Sequence, residues 1–165
     1  PLWSRGLGDV YKRQVYDPNR KELFTAERGQ GARVNGQPIA VSATDQMIDA
    51  MLVTGFPYDV HARVEELVSL FAAFLGKARA IRRLGSAAID LCYVASGRLD
   101  AFWEGDLKPW DIAGGALILQ EAGGTITTLD GGPYSSRMGQ VLATNGRLHD
   151  AMLEVIQTWR ASRQA

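Results

Sequence analysis

The chain contains little cysteine and little histidine. It has one cysteine, Cys92, and two histidines among 165 residues. One cysteine cannot form a disulfide within the chain, and no Cys/His cluster with the spacing of a zinc site occurs in the sequence. We therefore interpret Cys92 as a small core residue and expect a reducing, cytoplasmic environment.

An excess of charge and a long apolar run are also lacking. Lys+Arg and Asp+Glu are both 18, so nothing indicates general affinity for nucleic acid or for an anionic membrane. No apolar run approaches the roughly 20 residues that span a bilayer, and the N-terminus lacks the apolar core of a signal peptide. With 46% hydrophobic and 22% charged residues, the composition is typical of a globular domain that buries about 70% of its unfolded surface.

Residues 1–14, PLWSRGLGDVYKRQ, show neither helical nor strand periodicity. They resemble a translated sequencing-adaptor tail, so we treat them as non-native and exclude them from fold reasoning; a native loop is the alternative. We expect residues 15–44 to form strands and a hairpin of a first α/β subdomain. Residues 45–165 are expected to form a second α/β subdomain.

Strand and helix patterns alternate along the chain, which predicts an α/β fold. An Asn-Gly pair at residues 35–36 indicates a tight hairpin. Asp59 is a candidate cap for an amphipathic helix that ends at Leu75, and His149 is expected to be exposed at the start of the last helix. The predicted strands are 22–27, 38–42, 47–54, 78–84, 99–103, 125–129 and 140–144, and the predicted helices are 59–75, 86–95, 109–122 and 148–160.

Two carboxylates flank the start of the helix that begins at Pro109, a favourable first helical residue. Asp111 lies in its first turn, where the helix dipole favours an ionised carboxylate, and Glu104 lies on the preceding loop. Such a pair can hold a cation and a polar substrate. The alternative is that Asp111 only complements the dipole and Glu104 is solvated.

A second candidate site is the sequence Gly85-Ser86-Ala87-Ala88, which opens a helix. Ser86 is the natural N-cap, and the exposed N–H groups of a helix N-terminus can bind an anion or a hydroxyl. An ordinary cap is the alternative interpretation.

The string from Trp103 to Gly124, WEGDLKPWDIAGGALILQEAGG, resembles the C-terminal signature of the inositol monophosphatase family. Residues 15–42 resemble the middle of the same family. The resemblance implies the layered α-β-α-β-α sugar-phosphatase fold, of which this chain would be the C-terminal portion. It also implies a Mg²⁺-dependent phosphomonoesterase that hydrolyses inositol monophosphate or a similar sugar phosphate by metal-activated water.

The resemblance also implies roles for five residues. Asp111 would be the catalytic metal ligand, Glu104 would hold a substrate hydroxyl, and Gly85, Ser86 and Ala87 would help position the substrate. The family's other ligands come from an upstream Glu and an Asp-Pro-[Leu/Ile]-Asp-Gly-Thr motif that this sequence lacks. We therefore expect a fragment that is inactive alone.

Other functions remain open. The same superfamily includes histidinol-phosphate and nucleotide-bisphosphate phosphatases. Some bacterial relatives act in transcription or RNA processing, and the pair Arg82-Arg83 could contact RNA polymerase, although two adjacent arginines also suit a solvated strand end. Relatives are often homodimers, so a homodimer is a further expectation.

Overall fold

The computed structural model describes residues 12–163. The first eleven residues of the tail-like segment lie outside this range. Its last three, residues 12–14, form the start of a strand and pair with residues 25–27. The first strand thus begins three residues before the point from which we expected native structure.

The described residues contain nine strands and four α-helices. Short 3₁₀ turns at Met47–Asp49 and Val60–Ala62 precede a strand and a helix. The strands are β1 (Lys12–Asp17), β2 (Glu22–Glu27), β3 (Ala32–Val34), β4 (Gln37–Ile39), β5 (Met51–Thr54), β6 (Ala80–Arg82), β7 (Ala101–Glu104), β8 (Thr125–Thr127) and β9 (Val141–Thr144), and the helices are α1 (Val64–Leu75), α2 (Ala87–Ala95), α3 (Pro109–Glu121) and α4 (His149–Ser162).

The first sheet is an antiparallel meander in the order β1-β2-β3-β4. Its last two strands pair with Val34 opposite Gln37, so the connection is the two-residue turn Asn35-Gly36. Both turn residues have positive φ, 47° and 81°, which is the requirement of a type I′ turn and the reason that Asn-Gly is favoured there. The predicted hairpin is confirmed.

The second sheet has the order β6-β5-β7-β9-β8. Its strands β6, β5 and β7 are parallel, whereas β9 runs antiparallel to β7 and β8 antiparallel to β9. Each parallel strand is followed by a helix, since α1 follows β5, α2 follows β6 and α3 follows β7. The N-termini of these three helices therefore lie at the carboxyl edge of the parallel strands.

Side chains of the second sheet alternate between two cores, as the pleat of a strand requires. Phe102 packs among α2, α3 and the first sheet, and its neighbours Ala101 and Trp103 pack against α1 and α4. Cys92 is fully buried in the first of these cores, as expected. The layers are thus the first sheet, α2 with α3, the second sheet, and α1 with α4, which confirms the layered α/β fold.

Two predicted boundaries were wrong by four residues or more. The predicted strand over residues 47–54 opens with the 3₁₀ turn and becomes extended only at Met51, while the predicted helix over residues 59–75 begins at Val64. The Asp59 side chain makes no capping hydrogen bond. Arg63 has a φ of −135°, which interrupts the helix, and its guanidinium donates to Glu66 and Asp106.

The prediction that His149 is exposed was also wrong. Its exposed fraction is 7%, and its two ring nitrogens lie 3.1 Å from the hydroxyls of Thr127 and Thr144. These two threonines lie on β8 and β9, so the histidine joins α4 to both strands. Burial lowers the pKa of the imidazole.

Among residues 12–163, no helix is both long enough and apolar enough to cross a bilayer.

Candidate active site

Three loops meet at the carboxyl edge of the parallel strands. Residues 55–56 follow β5, residues 83–87 follow β6, and residues 104–111 run from the end of β7 into α3. All of the site residues predicted from the sequence lie in the second and third loops. Parallel pairing therefore brings together residues that are 26 positions apart in the chain, from Gly85 to Asp111.

Glu104 is the residue on which these loops converge. Its half-buried carboxylate packs directly over the backbone of Gly55. Burial raises the pKa of the Glu104 carboxyl to about 7, the guanidinium of Arg83 opposes this rise, and the negative charge of Asp111 adds to it. Glu104 and Asp111 are therefore close enough to interact electrostatically.

Asp111 lies in the first turn of α3, as predicted. One oxygen of its carboxylate accepts a hydrogen bond of 2.8 Å from the backbone N–H of Lys108. This bond fixes the carboxylate at the helix N-terminus, where the dipole stabilises its negative charge. An ionised carboxylate in this position can also serve as an oxygen ligand of a divalent cation.

Gly85, Ser86 and Ala87 lie at the N-terminus of α2. Gly85 has a φ of 91°, a left-handed conformation that favours glycine. Ser86 occupies the N-cap position, but its side chain makes no capping hydrogen bond. The first turn of α2 packs closely on α3, because a Cβ on Gly115 would lie only 3.2 Å from the carbonyl oxygen of Ala88.

Sequence reasoning missed Asp90, a buried acid of the same site. Its exposed fraction is 1%, and neither carboxylate oxygen has a hydrogen-bond partner among the described residues. Burial raises the pKa of Asp90 to about 7, and the charge of Glu104 contributes to the rise. The available signal was a single acid inside the otherwise apolar helix Ala87–Ala95.

Sequence reasoning also missed the contacts that hold the loop after β7. Asp106 has a φ of 61° and forms an ion pair with Arg63. The N–H of Leu107 donates to the carbonyl oxygen of Gly139 at 2.8 Å. These contacts fix the backbone beside Glu104. Glu104 lines a cavity of about 620 Å³ on the side of the second sheet that faces α1 and α4.

The described residues provide part of a metal site. Within residues 12–163, no group of three His, Cys, Asp or Glu side chains is placed to hold a metal ion. Asp111 fits as one oxygen ligand, but one carboxylate does not complete the coordination that Mg²⁺ requires. No catalytic step through a metal is therefore derived from these residues alone.

Comparisons with known proteins agree with this fold. A model of the inositol monophosphatase family matches residues 14–161. The chain is 47% identical to the Arabidopsis thaliana protein named "Phosphatase IMPL1, chloroplastic", over 81% of this chain and 36% of that protein. It is 42% identical to the "Nus factor SuhB" of Pseudomonas aeruginosa, over 87% of this chain and 54% of that protein.

A solved structure of inositol monophosphatase from Anabaena superposes with a TM-score of 0.85 at 40% identity, covering 88% of this chain and 57% of that one. The chain thus spans about half the length of the Nus factor and little more than a third of the plant phosphatase. The family match covers most of the sequence, including every predicted site residue. The chain belongs to the inositol monophosphatase family.

Proposed function

We propose that this chain is part of a Mg²⁺-dependent phosphomonoesterase that acts on inositol monophosphate or a similar sugar phosphate. The observation that carries the proposal is the placement of Asp111 at a helix N-terminus beside the half-buried Glu104, inside the family match. This edge combines a metal-binding carboxylate with an acceptor for substrate hydroxyls. The catalytic residue in this proposal is Asp111.

Each group has a role that follows from its chemistry. Asp111 would offer an oxygen to Mg²⁺, and the ion would supply activation of a water and neutralisation of phosphate charge. Ionised Glu104 accepts a hydrogen bond from a substrate hydroxyl, because a carboxylate without its proton is only an acceptor. The N–H groups near Gly85, Ser86 and Ala87 donate to substrate oxygens at the N-terminus of α2.

We expect the remaining metal ligands to be the upstream Glu and the Asp-Pro-[Leu/Ile]-Asp-Gly-Thr motif of the family, which this sequence lacks. Asp111 alone cannot hold a catalytic cation, so we expect the 165-residue chain to be inactive. An extended version, which adds upstream genomic sequence with the Asp-Pro-[Leu/Ile]-Asp-Gly-Thr motif, should be active.

The test is phosphate release from inositol 1-phosphate with and without Mg²⁺, for the chain and for the extended version. Asp111→Asn should abolish the Mg²⁺-dependent activity of the extended version. Asp150→Asn is the matched control, because Asp150 also lies in the first turn of a helix but is exposed on α4. Full activity of Asp111→Asn would refute the role of Asp111. Turnover by the chain alone would refute the claim that the missing motif is required, and the metal ligands would then be sought among Glu104, Asp106 and Asp111.

The substrate within this class is open, so the same assay should include histidinol phosphate and a nucleotide bisphosphate. A preference for either compound over inositol 1-phosphate would assign the protein to the corresponding branch of the superfamily. The role of Asp111 would be unchanged, since it acts on the phosphate and not on the alcohol.

A second candidate function is binding to RNA polymerase, which the relative named as a Nus factor suggests. Arg82 and Arg83 are both exposed, and Arg83 also faces the ring of Phe56. Arg82→Ala is thus the cleaner test of a contact surface. Retention on RNA polymerase should weaken in this variant and at high salt, because screening reduces exposed charge interactions.

Light scattering of the purified chain tests the expected homodimer.

A further inference from the structure

Gly55 lies where two parallel strands of the second sheet end side by side. Thr54, the last residue of β5, is opposite Trp103 of β7, and its hydroxyl donates to the carbonyl oxygen of Trp103 at 2.6 Å. The next residues, Gly55 and Glu104, are therefore held next to each other. The strand ends cannot separate without breaking this buried hydrogen bond.

A side chain at position 55 would occupy the space of the Glu104 carboxylate. A Cβ built on Gly55 overlaps the Cδ and both carboxylate oxygens of Glu104. Gly55 is not among the glycines with positive φ, so its backbone conformation does not require glycine. The requirement at this position is space alone.

We propose that Gly55 is a positioning residue: because it has no side chain, it leaves room for the Glu104 carboxylate at the position where this carboxylate binds the substrate. The inference rests on the proposed role of Glu104 in holding a substrate hydroxyl. A larger residue at position 55 would displace the carboxylate and weaken the binding of a polyhydroxylated substrate. Gly55 would thus determine specificity without touching the reacting phosphate.

The surroundings of Glu104 explain why the carboxylate, and not the backbone, must move. The loop that follows is held by the Arg63–Asp106 ion pair and by the bond from Leu107 to Gly139. The three atoms nearest to an added Cβ at position 55 all belong to the end of the Glu104 side chain. The carboxylate is therefore the group that is displaced.

Gly105→Ala is a matched control for Gly55→Ala. Gly105 is the residue directly after Glu104, a Cβ there would meet no atom within 4 Å outside its two chain neighbours, and its φ is not positive. Both variants add one methyl group beside the same glutamate. Only the variant at position 55 should disturb the carboxylate.

The kinetic test uses the extended, active protein and inositol 1-phosphate. Gly55→Ala should raise KM about tenfold or more, as expected for loss of a hydrogen bond to a charged group, and should leave kcat within about threefold. Gly105→Ala should leave both unchanged. In a Glu104→Ala background, Gly55→Ala should raise KM less than about twofold, because coupled residues are not additive.

The outcomes separate the two proposals. If Glu104→Ala raises KM but Gly55→Ala does not, or if Gly55→Ala has its full effect without Glu104, the positioning role is wrong and the proposed function stands. If Glu104→Ala leaves KM unchanged, the substrate role of Glu104 is wrong, and the inference about Gly55 is overturned with it.

A second measurement needs no activity. The carboxyl ¹³C resonance of Glu104 in the 165-residue chain should shift in Gly55→Ala and stay in place in Gly105→Ala. An unchanged resonance in Gly55→Ala would overturn the positioning role even if no extended version were active.

Discussion

Replacing Gly115 with alanine should destabilise the protein, although helix propensity alone argues the opposite. Gly115 lies inside α3 where this helix crosses α2. An added Cβ would lie 2.5 Å from the Cβ of Leu91 and 3.2 Å from the carbonyl oxygen of Ala88. Both atoms are fixed by the α2 backbone, so relief requires the two helices to move apart.

The magnitude follows from two opposing terms. Gly→Ala in a helix interior stabilises by about 1 kcal/mol, whereas overpacking of a well-packed core costs about 1–3 kcal/mol. The upper end applies here because no side-chain rotation removes the overlap. The net loss is about 2 kcal/mol, which lowers Tm by about 4–8 °C for a protein of this size.

Gly114→Ala is the control within the same helix. Its Cβ would meet Cγ2 of Val15 at 3.2 Å and the carbonyl oxygen of Gln14 at 3.7 Å, and the valine side chain can adjust. We expect this variant to be as stable as the parent, or up to about 1 kcal/mol more stable. Urea denaturation followed by circular dichroism measures both changes, and a Gly115→Ala chain as stable as Gly114→Ala would refute the reasoning.

Three further predictions concern charged and ionisable side chains. Burial lowers the pKa of His149 below its ordinary 6.5, so the free energy of unfolding should fall as the pH drops below about 6.5; His149→Gln should lose this pH dependence in urea titrations at pH 5, 6 and 7.5. Burial raises the pKa of Asp90 from 3.8 to about 7, so the free energy of unfolding should fall as the pH rises through that range. Asp90→Asn should be more stable than the parent at pH 8, and lower stability there would contradict this. Glu121 accepts hydrogen bonds of 2.9 Å from the N–H groups of Gly29 and Gly31, so Glu121→Ala should cost about 1–3 kcal/mol and speed hydrogen exchange at these two amides.

Periodicity and capping preferences within one segment correctly predicted those strands and helices whose bounds depend on that segment alone. The strand Glu22–Glu27 has the predicted bounds, and the helix from Pro109 begins at the predicted residue. The start of α1 and the burial of His149 depend on partners far along the chain, such as Asp106 for Arg63 and Thr127 for the histidine. No pattern within one segment encodes those partners.

The site shows the same limit. Resemblance to the family predicted Asp111, Glu104 and the turn at residues 85–87 as site residues. It did not predict that the Glu104 carboxylate packs over Gly55. Gly55 is 49 positions from Glu104, and only the pairing of β5 with β7 makes them neighbours. Asp90 could have been noticed as an acid in an apolar helix, whereas its electrostatic interaction with Glu104 depends on the packing of α2 against the second sheet.

Burial makes the carboxyls of Glu104 and Asp90 hard to ionise, and for Glu104 this affects the binding of a polyol. The carboxyl of Glu104 has a pKa raised to about 7 by burial, so near neutral pH a large share carries a proton and cannot act as a pure acceptor. A neutral polyol that donates a hydroxyl hydrogen bond to Glu104 selects the ionised form and must displace that proton. Competitive inhibition by myo-inositol in the extended protein should therefore strengthen as the pH rises from 6 to 8 and level off above it. In Glu104→Gln the dependence should vanish, and inhibition that weakens with rising pH in the parent would show that Glu104 does not accept the hydroxyl.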